Sequence, residues 1–169
     1  MSLSSARVDL LYRALGVLAA ALIAFTALGI TVDVVIRNLG WGSIGWMQEA
    51  NEYALFVATF LGAPWVLREG AHVRVDVVVS AASPAWARRM DLLANSIGLL
   101  CTCVIVYYAI NVASISFREG ARLIKAFIIP EWWVFGIIAL SGVLLIVEFI
   151  NRLGRAWRGE QIADGVPGV

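Results

Sequence analysis

Long apolar runs alternate with short polar ones along the chain, and no porin-like alternation of period two passes through the apolar runs. A helix needs roughly 20 mainly apolar residues to cross about 30 Å of hydrocarbon. Four segments meet or approach that length. The first runs from about Leu10 to Ile36, with no charge between Ala14 and Val32. The second runs from about Trp46 to Leu67, its Gln48, Glu49, Asn51 and Glu52 confined to the first two turns. The third covers Leu92 to Phe117 without a charge, interrupted by Asn95, Ser96, Thr102, Asn111, Ser114 and Ser116. The fourth covers Trp132 to Ile150, with Glu148 close to its end. Open strands would leave backbone groups unpaired in lipid, so these segments predict helices. The expected fold is all-α: one membrane domain of four transmembrane helices over residues 1–152, followed by a polar cytoplasmic tail over 153–169.

Local signals sharpen the boundaries. Ser83 suits an N-cap and Pro84 the first helical position. No breaker follows until Gly120, so the third helix should reach about 50 Å at about 1.5 Å per residue and protrude from the bilayer. Pro130 opens the fourth helix in the same way. His72 to Val77 alternates like a strand, but a lone strand beside a membrane has nothing to pair with. A short interfacial helix or irregular turn is therefore expected between helices two and three. Arg7, Arg13 and the Ala19-Ala20-Ala21 run resemble a signal peptide superficially, yet the apolar stretch continues well past those alanines. A retained anchor is expected.

Basic residues orient the spans. Arg7, Arg13, Arg68, Arg74, Arg88, Arg89, Arg152, Arg155 and Arg158 would share one side, against Arg37, Arg118, Arg122 and Lys125 on the other. Nine against four places both termini in the cytoplasm. Trp41, Trp46, Trp65, Trp86, Trp132 and Trp133 flank the spans as two interfacial belts would, or else fill a core. Composition agrees with a membrane protein. The chain is 61% hydrophobic and 15% charged, against about 45–50% and about 25% in soluble domains. This excludes disorder and an ordinary water-soluble enzyme. A net charge of +1 offers no basic surface for nucleic acid.

Spans in lipid associate through close contact and interhelical hydrogen bonds. Gly16, Ala20 and Ala24 on the first span, and Ala54, Ala58 and Gly62 on the second, make candidate contact stripes. Asn95, Thr102 and Asn111 should face protein, since an unpaired amide is costly in hydrocarbon. Glu49 and Glu52 share a helix face. They either complement the helix dipole, contact a partner at the outer surface, or couple protons. Asp33 and Arg37 form an i,i+4 pair that could also reach charges opening span two. Arg68, Glu69, His72, Arg74 and Asp76 form a dense polar group, either a solvated face against lipid phosphates or a clamp and partner site. One histidine cannot build a metal or bis-histidine haem site. Cys101 and Cys103 are small apolar fillers on different sides of their helix. Nucleotide-binding and nucleophile motifs are absent, and no charge lies at the middle of a span, where transport pathways usually place one. The residues thus point to an accessory subunit with no catalytic site, metal or cofactor. A dimeric four-helix proton-coupled exporter and a redox-complex anchor are the competing readings.

Arg37-Asn38, Trp46-x-x-Glu49, Phe60-Leu61-Gly62-Ala63, Arg68-Glu69-Gly70-x-His72-Val73-Arg74-Val75-Asp76 and Pro130-x-Trp132, in this order, resemble the DctQ-type small membrane subunit of tripartite ATP-independent periplasmic (TRAP) transporters. The resemblance extends from about Leu10 to Arg152. Members carry two acidic residues after the tryptophan of span two; here Gln48 replaces the first and only Glu49 matches. The resemblance implies a bacterial inner-membrane location and two protein partners: a large multi-span permease subunit and a periplasmic solute-binding protein. It implies a scaffolding and docking role in organic-acid uptake driven by an ion gradient. The implied partner or structural residues are Arg37, Trp46, Glu49, Glu52, Gly62, Arg68, His72, Arg74 and Asp76.

Overall fold

The protein, seen in a computed structural model, is described over residues 3–69 and 84–158. Helix α1 spans Leu3–Asn38, α2 Gly45–Arg68, α3 Pro84–Glu119 and α4 Glu131–Arg158. Among the described residues, three stretches are long and apolar enough to cross a membrane: Val8–Asn38, Arg89–Glu119 and Glu131–Trp157. Helix α2, at 24 residues, has the length but not the apolarity, because Gln48, Glu49, Asn51 and Glu52 dilute it. The expected interfacial segment at 71–82, with His72, Arg74 and Asp76, lies outside the described residues, as does Ser83. Pro84 does open α3. Helix α4 continues through Arg158, past the boundary expected at residue 152.

Glycine ends two of the helices. Gly40 and Gly120 adopt φ of +77° and +65°, a conformation glycine reaches at no steric cost. The N–H of Trp41 then donates to the Ile36 carbonyl at 3.2 Å, and that of Ala121 to the Ser116 carbonyl at 3.0 Å. Both bonds satisfy carbonyls that the last helical turn leaves free. Between α3 and α4 lies an element the sequence reading did not anticipate, an antiparallel hairpin of β1 (Arg122–Ile124) and β2 (Ile128–Pro130). Its three-residue strands can sit beside a membrane because they pair with each other.

The helices form a row: α1 packs on α2, α2 on α4, and α4 on α3. Buried positions on α1 are Tyr12, Gly16, Ala19, Thr26 and Gly29, with Tyr12, Ala19 and Thr26 seven residues apart. On α3 they include Asn95, Thr102, Ala109 and Ser116, again at sevens, the repeat of two long helices coiling together. The α2 stripe of Ala54, Ala58 and Gly62 is buried as expected, and a Cβ on Gly62 would meet the Ala19 methyl at 3.1 Å. The α1 stripe is different from expectation. Ala20 and Ala24 are exposed, because the contact face follows the seven-residue repeat through Gly16 and Ala19 rather than a four-residue spacing. Trp65 lies over Gly16, where a Cβ would come within 2.6 Å of the indole. That tryptophan fills an interface, whereas Trp41, Trp46, Trp86 and Trp133 are exposed near helix ends. On α3, Asn111 is exposed, a correction with the same cause: it falls off the 95–102–109–116 repeat. Cys101 and Cys103 are both exposed and free, so they face outward rather than fill the interior.

Pro64 lies inside α2. Proline has no N–H, so the Phe60 carbonyl four residues earlier loses its usual donor. Ser141 of α4, fully buried, donates its hydroxyl to that carbonyl. In lipid no water could do so. Gly142 beside it admits the Val106 side chain of α3, so two adjacent small residues let α4 touch both neighbours. We predict that Ser141→Ala destabilises the protein by about 1 kcal/mol. The loss should fall below half of that in a Pro64→Ala background, which restores the backbone donor. Unfolding in detergent as a double-mutant cycle measures this; equal losses in both backgrounds would refute the pairing.

Candidate functional site

Polar side chains collect at the two ends of the row. At one end, α2 finishes with Arg68, which bonds to Asp9 of α1 and stands 3.4 Å from Glu148 Oε2 of α4. Its guanidinium carbon also lies 4.6 Å from the centre of the Tyr12 ring, and the Tyr12 hydroxyl donates to the Leu144 carbonyl at 3.1 Å. Glu148 is 2% exposed. It receives Arg155 Nη2 at 3.2 Å, while Arg152 Nε stands 3.9 Å away. Arg152, itself buried, donates to the Leu67 carbonyl, one of the acceptors that the end of α2 leaves unfilled. A buried carboxylate is tolerated only when paired and hydrogen-bonded; here three guanidinium groups from two helices surround it. The start of α1 and the ends of α2 and α4 are thereby tied together on one side.

At the other end, Glu49 and Glu52 grip the hairpin. Glu49, 6% exposed, accepts the Phe127 N–H on Oε2 at 3.0 Å. Glu52 pairs with Lys125 at 2.8 Å, and Trp46 meets Phe127 edge-on with ring centres 6.5 Å apart. Ser116 donates to Glu131 at 3.0 Å, joining α3 to α4. Asp33 takes Arg37 as its i,i+4 partner and accepts the Ile44 N–H at 3.0 Å, fixing the turn into α2. Neither glutamate lies in the first turn of α2; both hold the loop that covers it.

The expected site residues therefore divide. Arg37, Trp46, Glu49 and Glu52 gather at the hairpin end, Arg68 anchors the opposite end, and Gly62 lies between them at the α1–α2 contact. Asp9, Tyr12, Ser141, Glu148, Arg152 and Arg155 went unrecognised in the sequence. The signal was present: Glu148, Arg152 and Arg155, at i, i+4 and i+7, share one face of an otherwise apolar helix. Among the described residues no three histidine, cysteine or acidic side chains are placed to hold a metal ion.

Long apolar helices whose polar groups are spent on ties between them define a helical membrane protein. Residues 26–159 match the DctQ component family of tripartite ATP-independent periplasmic transporters. The chain belongs to that family and is a small subunit of a TRAP transporter. It is 22% identical over 146 residues to a Haemophilus influenzae protein with the provisional name TRAP transporter small permease protein, covering 83% of this chain and 86% of that one.

Two predictions follow from the ties. Glu148→Gln should destabilise the protein by about 3–5 kcal/mol, because it strands the buried Arg152 guanidinium and leaves the partly exposed Arg68 and Arg155 without their shared partner. Asp9→Asn, at the exposed edge, should cost under about 1 kcal/mol. Equal, small losses on denaturant unfolding would contradict this arrangement. The Glu52 hydrogen bond raises the Lys125 pKa above its ordinary value, which is about 10.4. A raised folded-state value means the pairing is fully present below the ordinary lysine value and is lost only as pH rises through the folded one. The extra tryptic cleavage of the hairpin in Glu52→Gln, relative to wild type, should thus be the same at pH 7 and pH 9. A difference that vanishes by pH 9 would contradict the pairing.

Proposed function

We propose that the chain crosses the bacterial inner membrane four times with both termini cytoplasmic. It acts there as a non-catalytic scaffold, bracing the large multi-span permease subunit and helping to dock a periplasmic solute-binding protein during ion-gradient-driven uptake of organic acids. Family membership supports the tripartite setting. The excess of arginine at the Arg68 end supports the orientation. The observation that carries the scaffolding role is where the charges are: among the described residues they lie toward the two ends of the row and tie helices together, leaving its mid-depth apolar. A cargo pathway needs polar groups within the membrane. On this reading Arg37, Trp46, Glu49 and Glu52 belong to the periplasmic side, where docking would occur. Arg68, His72, Arg74 and Asp76 belong to the cytoplasmic side, where they would brace the large subunit. The self-contained exporter reading has weaker support, because its best coupling carboxylate, Glu49, is engaged with the hairpin backbone.

Proteoliposomes containing this chain alone should take up no substrate under an imposed ion gradient. Adding the large subunit and the binding protein should establish uptake, and Arg68→Ala should reduce both co-purification and uptake. Transport by the chain alone, or failure to co-purify with the large subunit, would overturn the proposal.

A further inference from the structure

Beside the buried Glu148 lies an open cleft of about 240 Å³, lined by Arg68, Glu148, Asn151 and Arg155. We propose that this cleft seats the phosphate of an anionic lipid headgroup.

Charge supports this. Of the charged residues that line it, Arg68 and Arg155 outnumber Glu148 by one, and that carboxylate is already engaged by guanidinium groups. Among the lining side chains the exposed charge is basic, Glu148 being 2% exposed against 25% and 41% for Arg68 and Arg155, while Asp9, outside the lining, is held by Arg68. Hydrogen-bonding capacity supports it as well. Arg155 spends Nη2 on Glu148, and its side chain is still partly exposed, which leaves guanidinium N–H groups to meet a ligand. A guanidinium offers five donors in a fork that fits a phosphate, and Asn151, exposed at the rim, adds an amide.

Depth identifies the source of the phosphate. Glu148 lies 17 residues beyond Glu131 at the start of α4, which is about 26 Å along the helix axis, against about 30 Å of hydrocarbon. On the four-span reading the cleft therefore opens near the boundary of hydrocarbon and headgroups, with Arg155, seven residues further along α4, on the headgroup side. A lipid phosphodiester is presented there continuously, with its acyl chains beside the apolar flank of α4. Dissolved inorganic phosphate would share the contacts but not that anchorage. The inference rests on the four-span reading but not on the transporter role.

Delipidated full-length protein should be titrated with phosphatidylglycerol and with phosphatidylcholine and followed by native mass spectrometry. Wild type should retain phosphatidylglycerol preferentially. Arg155→Gln should lower that retention about fivefold, the effect of removing one basic charge near a membrane surface. Arg89→Gln should leave retention unchanged, since Arg89 stands over Trp86 on α3 at the same end of the row but away from the cleft. If Arg155→Gln does not fold, Arg155→Lys keeps the charge without the fork and should bind less lipid than wild type. Three results would overturn the proposal: equal retention of the two lipids, no greater loss in the Arg155 variant than in Arg89→Gln, or displacement of the lipid by excess inorganic phosphate. Failure to co-purify with the large subunit while lipid preference persists would count against the scaffold alone.

Discussion

Helix α2 carries more polarity than hydrocarbon tolerates, and the order of the helices follows from covering it. Moving an amide or hydroxyl out of water without a partner costs roughly 2–7 kcal/mol. This helix brings Glu49, Asn51 and a carbonyl orphaned by Pro64. It lies between α1 and α4, so its Ala54–Ala58–Gly62 stripe meets α1 while its Pro64 turn meets Ser141 of α4. The more apolar α1 and α3 take the flanks of the row. Their outer faces display Leu18, Ile23, Leu28, Leu100, Ile105 and Ile110, surfaces that suit lipid or another hydrophobic helix.

The ends of the row solve a second problem. Helices in a bilayer gain little from burying apolar surface against each other, so something else must hold them in register. Here the ties are charged and lie near the expected membrane boundaries, where they escape the full cost of the hydrocarbon. Arg68 alone contacts two other helices, α1 through Asp9 and Tyr12 and α4 through Glu148, and the hairpin hangs on Glu49 and Glu52 of α2. Both ties use α2, which makes the least apolar helix the one its neighbours depend on. The proposed scaffolding role rests on this arrangement.

Much of this was legible in the sequence. The helices appear within a few residues of their expected positions at most boundaries, since apolar length and glycine or proline breakers are local signals. The α1–α2 contact was half legible: Gly16 and Gly62 were recognised, but the partner of Gly16 is the bulky Trp65, which no small-residue stripe suggests. Long-range pairings were not legible, because Glu148 and Arg68 are 80 residues apart and each has local neighbours that could have satisfied it. Nor was the hairpin, whose strands are too short to establish a period. Glu49 and Glu52 share a face as their spacing suggests, yet holding the hairpin was none of the three roles that spacing left open.

The central claim is that α2 traverses the bilayer shielded by α1 and α4, although its own composition would not carry it across. Single cysteines at Ser43 and Glu69, just beyond its two ends, test this in a background with Cys101 and Cys103 replaced. A membrane-impermeant thiol reagent applied to spheroplasts should label Ser43→Cys directly, and Glu69→Cys only after permeabilisation. Labelling of both positions from the same side would contradict the account.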